Sequence, residues 1–311
     1  MIEYILEATV RYATPLLLVA LGEIIAERAG VINIGLEGMM ILGAFTGWLG
    51  SFYIQGMNPG LAPWLGILFG GLSGVVLASI FGGFVLWLKT DQVVTGTGIN
   101  LLAFGLVEVL YRRIFGATGD ALKVAIFQPL HIPLLSNIPF IGPILFQQNF
   151  LVYITFLAVP AVYFYLFHTH HGLAIQACGE HPKAADTVGV SVLGLQAKCV
   201  LFGGFMAGLA GGYLSLVDVP FFSTEMTAGR GFIALSIVIF GKWHPVKACG
   251  AALLFGLANA LPDRLQAIAD LGFIPYQFFL MLPYVLTLLV LAGFVGQARP
   301  PAALALPYRR E

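Results

Sequence analysis

The chain has 311 residues, 59% of them hydrophobic and only 10% charged, with no net formal charge and a mean hydropathy of +0.92. Soluble domains carry roughly 25% charged residues, so that class is excluded and the bilayer is the expected solvent. Balanced charge favours neither nucleic acid nor an acidic partner, and Cys178, Cys199 and Cys249 fit no zinc or disulfide spacing.

At the N-terminus, Glu3 and Glu7 precede the first apolar run where a cleaved signal peptide would carry basic residues. Apolar runs long enough to cross a bilayer follow at Ala8–Ile25, Val31–Phe52, Leu61–Leu88, Val93–Phe115, Phe150–Phe167, Ala197–Val217 and Pro275–Val295. Between the last two, Gly231–Phe240 and Ala248–Leu261 are each short, and Lys242, His244, Pro245 and Lys247 separate them. They read as broken, re-entrant or tilted helices, and such segments must be buried in protein or line a watery path. The pattern predicts an all-α, polytopic transmembrane bundle of about 8–10 spans. Gly116–Asn149, rich in proline yet apolar, is expected as an external loop lying on the membrane.

Basic residues bias loops towards the cytoplasm. Lys183 and Lys198 in the polar stretch His168–Lys198, and Arg299, Arg309 and Arg310 in the tail, place both segments there, while Arg112 and Arg113 fall at the outer face. Residues 297–311 form a cytoplasmic tail with a frayed end, after a single membrane domain over 1–296.

Gly66, Gly70, Gly74, Ala78 and Gly82 recur every fourth residue, as do Gly204, Gly208 and Gly212. This spacing makes a groove on one helix face and lets backbones approach closely where lipid gives no hydrophobic drive to associate.

Polar residues inside apolar runs carry the opposite expectation, because a charge near the bilayer centre is costly unless it faces a cavity or a partner. Glu23, Asn33, Glu37, Asn100 and Glu108 are such residues. The run containing Glu23, Glu27, Arg28, Gly30, Asn33, Gly35 and Glu37 reads as a helix break that aims freed amides at a polar solute. Glu27 and Arg28 are expected to be solvated at the interface, whereas Asn33 and Glu37 suit a pathway and an interfacial loop equally. A second polar cluster runs from Ser223 to Phe232, where Glu225 and Arg230 either pair with each other or contact solute. The pathway candidates are Asn33, Glu37, Asn100, Glu225, Arg230 and Phe232.

No GxxxxGK[ST], HExxH or GxSxG motif occurs, so no ATP cradle and no familiar hydrolase site is expected in this chain. The six histidines gather no catalytic or metal set.

The segment HGLAIQACGEHPKAADTVG, from His171 to Gly189, resembles the coupling region of the ABC permease family that carries branched-chain amino acids, simple sugars and nucleosides. ERAGVINIGLEGMMILGAF (Glu27–Phe45) and MTAGRGFIALSIVIFGKWHP (Met226–Pro245) resemble one of the two unequal permeases of nucleoside importers. The resemblance runs from about Leu21 to Val295. It implies a short cytoplasmic coupling helix within about 171–191, with Gly179, Glu180, Ala184, Ala185 and Gly189 matching the family core. It also implies three partners: a second, homologous permease, a cytoplasmic ABC ATPase that uses the ATP, and an extracytoplasmic lipid-anchored solute-binding protein. The location would be a bacterial-type inner membrane, no cofactor would be bound by this chain, and nucleosides or related simple sugars would be the solute. The competing class is an ion-coupled secondary transporter, with Glu37, Glu108 and Glu225 as coupling carboxylates; the coupling motif speaks against it.

Overall fold

The computed structural model describes residues 2–116, 122–131, 133, 135–136, 138–268, 278, 281, 285 and 299–309. Those residues contain helices and no strand. They are α1 (Ile2–Arg28), α2 (Leu36–Ile54), α3 (Ala62–Trp87), α4 (Gln92–Phe115), α5 (Ile141–Phe146), α6 (Phe150–His168), α7 (His170–Glu180), α8 (Pro182–Thr187), α9 (Val192–Asp218), α10 (Arg230–Phe240) and α11 (Pro245–Ile268). Six of them, α1, α3, α4, α6, α9 and α11, are long and apolar enough to cross a membrane, so the chain is a polytopic helical bundle. The last expected span, Pro275–Val295, lies outside the described residues.

The two glycine stripes meet each other, and this decides the middle of the bundle. A Cβ at Gly74 would collide with the carbonyl oxygen of Gly204, one at Gly208 with that of Gly70, and one at Gly43 with Gly208 itself. Helices α2, α3 and α9 therefore touch backbone to backbone, as small-residue spacing requires. Around this contact lies a continuous cluster of buried side chains from all three helices, including Met40, Phe45, Trp48, Phe81 and Tyr213. Helix α1 packs on α9 and on α11, and its middle is wholly buried. By contrast α4 leaves Val94, Leu101, Leu102 and Val109 exposed along one side.

One expectation changes. Ala248–Leu261 is not a short segment: it lies within the 24 residues of α11, because the α-helix starts directly at Pro245, where a proline costs nothing at the first turn. Of the two segments only α10 is a half-span, its 11 residues rising about 16 Å in a core ~30 Å thick. The first described part of the expected external loop is held by the protein itself. Residues 122–130 tuck into the bundle, where Val124 N–H donates to Pro220 O (3.0 Å) and Phe127 N–H to Leu216 O (2.9 Å). Trp48 and Ser51 hold the carbonyls of Leu122 and Ala125.

The polypeptide alternates between two faces. One face carries the end of α1, the turn between α10 and α11, α7, α8 and the tail segment 299–309, which are linked by hydrogen bonds. The opposite face carries residues 122–130, the Arg11–Asp218 ion pair (3.0 Å) and the end of α4 with Arg112.

Candidate functional site

Helix α1 ends in a glycine-terminated turn. Gly30 has φ +94°, and Gly30 and Val31 donate to the carbonyls of Glu27 (2.9 Å) and Ala26 (3.0 Å), the bond pair that closes a helix on a left-handed residue. The chain then crosses to α2 through residues 31–35, and side chains of α1, of α4 and of the break itself take the amides set free. Gln92 accepts from Ile32 N–H (2.8 Å), Glu23 from Asn33 N–H (2.7 Å), and Asn33 from Gly35 N–H (3.0 Å). Asn100 on α4 accepts from Gly38 N–H (2.7 Å) and donates to Ile34 O (3.0 Å). It thereby closes the N-terminus of α2 from a neighbouring helix, filling the role of a cap.

Glu37 does the same for the half-span. Its two carboxylate oxygens accept from Gly229 N–H (2.9 Å) and Gly231 N–H (2.6 Å), so a buried negative charge faces the positive end of α10. Gly229 supplies the left-handed turn (φ +77°) that aims its amide at this carboxylate, and a Cβ at Gly231 would press on Glu37.

Glu27 and Arg28 are not solvated loop residues. The Glu27 carboxylate is buried and accepts from the Trp243 indole N–H, while Arg28 donates to Trp243 O (3.2 and 3.1 Å) and lies over the Phe167 ring. Together they pin the α10–α11 turn, in which Lys242 and Trp243 both adopt positive φ. In that turn, His244 is held below the usual histidine range by desolvation first, then by Lys247 and Arg28.

Beside the Glu37 cap opens a cleft of about 690 Å³, lined by Glu37, Phe104, Gly105, Glu108, Thr224, Glu225, Thr227, Ala228 and Gly229. A second hollow of about 260 Å³ shares Glu108 and Thr224 and adds Tyr111, Arg112 and Phe222. Arg112 pairs with Glu108 (2.5 Å), and Arg230 turns away to donate to the Met226 carbonyl instead of pairing with Glu225. The hydroxyl of Thr227 is buried and has no hydrogen-bond partner. Among the described residues the cleft thus offers an aromatic face, hydroxyls and hydrogen-bond acceptors, and its lining holds no cation, the nearby Arg112 being paired with Glu108.

On the α1-end face, α7 and α8 form a bent element held from below. Gly179 packs directly on the Arg28 carbonyl, and Cys178, Ala185 and Val192 bury one side. Burial pushes the Cys178 thiol up to about 11. Ala184, Thr187, Val188 and Gly189 face outward, with Val188 78% exposed.

Residues 5–291 match the family described as branched-chain amino acid transport system / permease component. The chain belongs to this family. This permease is 39% identical over 305 residues to the guanosine ABC transporter permease protein NupQ of Bacillus subtilis, covering 98% of this chain and 96% of the relative. It is 38% identical over 298 residues to the nucleoside ABC transporter permease protein NupC of Lactococcus lactis, covering 96% and 94%. A putative glucose ABC transporter permease protein, TsgC13 of Haloferax volcanii, is 39% identical over 269 residues, covering 85% and 78%. No solved structure matches significantly.

Among the permease's six pathway candidates, the fold brings only Glu37 and Glu225 to one cleft. Asn33 and Asn100 sit behind it and hold the backbone of the α1–α2 break. Arg230 and Phe232 are not among the lining residues, and Phe232 is 46% exposed on the outside of α10. Sequence reasoning missed Phe104. The available signal was its spacing of four from Glu108 on one helix, which stacks the two on a common face.

Proposed function

We propose that this permease forms half of the translocation pathway of an ABC importer for nucleosides, powered by a separate ATPase. The near-full-length likeness to two nucleoside permeases carries this reading. The chemistry of the cleft suits it: Phe104 provides a face on which a base can stack, while Thr224, Thr227, Glu108 and Glu225 offer acceptors to ribose hydroxyls and base N–H groups. A neutral, donor-rich solute matches the carboxylates that line the described part of the cleft, which a phosphorylated one would meet as like charges. The likeness to a putative glucose permease keeps simple sugars as the second reading, since they share the hydroxyls and lack the base.

In this arrangement the exposed flank of α8 docks on a cytoplasmic ATPase. Gly179 and Ala185 seat the element on the bundle, while Ala184 and Gly189 meet the partner and Glu180 stands at the edge. ATP is bound and hydrolysed by that partner, not by this chain. The C-terminal tail, on the same face as α8, is then cytoplasmic, and the start of α1 lies on the external side of a bacterial-type inner membrane. The exposed apolar side of α4, next to the cleft, is the place for a second permease, and a lipid-anchored binding protein delivers solute from outside. Switching the coupling element would rock the bundle between outward and inward access.

Initial-rate uptake of labelled guanosine and uridine, in cells with and without the gene, tests the reading. Gene-dependent uptake that collapses on ATP depletion and survives a protonophore is expected. Collapse with the protonophore at constant ATP would replace it with an ion-coupled carrier, and gene-dependent glucose uptake without nucleoside uptake would select the sugar reading.

A further inference from the structure

The tail was expected to fray, yet residues 299–309 are built onto the coupling element. Ala303 N–H donates to Gly179 O (2.8 Å), Ala302 N–H to the Glu180 carboxylate (3.2 Å), and Ala305 N–H to Gly30 O (3.2 Å). Tyr308 packs on the small cluster of Cys178, Ala185 and Val192, and Leu304 on the larger cluster around α1. One short segment thus bonds both to the carbonyl of Gly179, the first residue of the coupling core, and to that of Gly30, the glycine that ends α1. Gly30 also lies at the start of the break whose amides Glu23, Asn33 and Asn100 hold, and Glu37 opens the next helix and caps the half-span. Between α8 and the tail runs an open groove of about 730 Å³ with Glu180, Pro182 and Ala184 on one wall and Ala302, Leu306 and Pro307 on the other.

We infer that the C-terminal segment is a positioning strap: it fastens the coupling element to the end of α1, so that a push on α8 moves the α1–α2 break and the cap of the half-span as one body. The strap adds nothing to solute binding or to the ATP site. It makes the joint between Gly179 and Gly30 stiff, and a stiff joint transmits displacement that a loose one absorbs in local motion. Gly179 also packs directly on the Arg28 carbonyl and against Gly30, and Ile175 joins the buried cluster around α1; to these van der Waals contacts the strap adds hydrogen bonds on both sides of the joint.

The inference rests on the reading of α8 as the ATPase-docking surface, and the test separates the two. The complete importer, with both permeases, the ATPase and the binding protein, is reconstituted in proteoliposomes, and solute delivered per ATP hydrolysed is measured with the amount of ATPase that co-purifies. Removing residues 300–311 is expected to lower solute per ATP by about tenfold, within the range of ordinary coupling free energies, while the ATPase still co-purifies. Ala303→Pro deletes the donor to Gly179 and is expected to act in the same direction, whereas Ala303→Ser keeps the donor and behaves as the parent protein. An unchanged ratio in the truncated protein would overturn the strap, as would loss of ATPase co-purification, which would make the segment part of the docking surface instead. Ala184→Arg probes the underlying reading by itself: it should release the ATPase whether or not the strap is intact.

Discussion

The break between α1 and α2 and the outward flank of α8 are both polar interruptions in an apolar chain, and the structure uses them in opposite ways. At the break, buried carboxylate and amide oxygens point at backbone N–H groups of this chain, so the polar residues are consumed in holding a non-helical segment inside the bundle. At α8, the buried side is small and apolar and the outer side is left open. The contrast teaches that a buried charge in a membrane protein is not by itself a solute ligand. Its hydrogen bonds decide, because a freed amide and a buried carboxylate are both costly in lipid unless they satisfy each other.

Breaking the inner region should have the larger effect. Glu37→Ala leaves the amides of Gly229 and Gly231 without acceptors, and at roughly 1–3 kcal/mol for each buried donor the loss is expected to be about 4 kcal/mol, read as a lower thermal midpoint in detergent. Glu37→Gln, with one acceptor oxygen in place of two, should fall between Ala and the parent protein; equal stability of all three would break the comparison at its stronger end.

Asn100→Leu removes one acceptor and one donor from the start of α2 and should cost about 2 kcal/mol, again in the thermal midpoint. Little change there would mean that water replaces the side chain and that the break is wetter than its hydrogen bonds imply.

The outer region is sharpened by thiol labelling. A cysteine at position 188, introduced as Val188→Cys, should react with maleimide at neutral pH in membranes lacking the ATPase and be protected when the ATPase is bound. Cys178, buried and with its thiol raised to about 11, should stay unlabelled in both until the protein is unfolded, since the thiolate is the nucleophile. The smallest stability effect is expected at the cleft: Glu225→Ala should shift stability by no more than about 0.5 kcal/mol, as for an exposed side chain, while lowering the initial rate of nucleoside uptake. Unchanged uptake would remove Glu225 from the pathway.

Hydropathy along the chain was sufficient for the helical bundle, because crossing a bilayer demands about 20 apolar residues in succession, a local property that the runs at α1, α3, α4, α6 and α9 display without reference to the rest. The glycine spacing was legible for a similar reason, since a period of four on one helix predicts a flat face, though not that the faces of α3 and α9 would meet each other. A short helix within about 171–191 was also readable, being contiguous, and α8 forms there. What the sequence left open was the fate of its polar residues. Glu37 finds its partners 192 and 194 residues away and Asn100 finds Gly38 62 residues away, and composition and period carry no information about such pairings. The tail shows the same limit: a short segment of proline, alanine and arginine reads as a loose end, and only the fold sets its amides against Gly179 and Gly30. Burial of apolar surface is decided residue by residue, whereas satisfying a freed amide is decided by whichever distant group the packing brings within 3 Å.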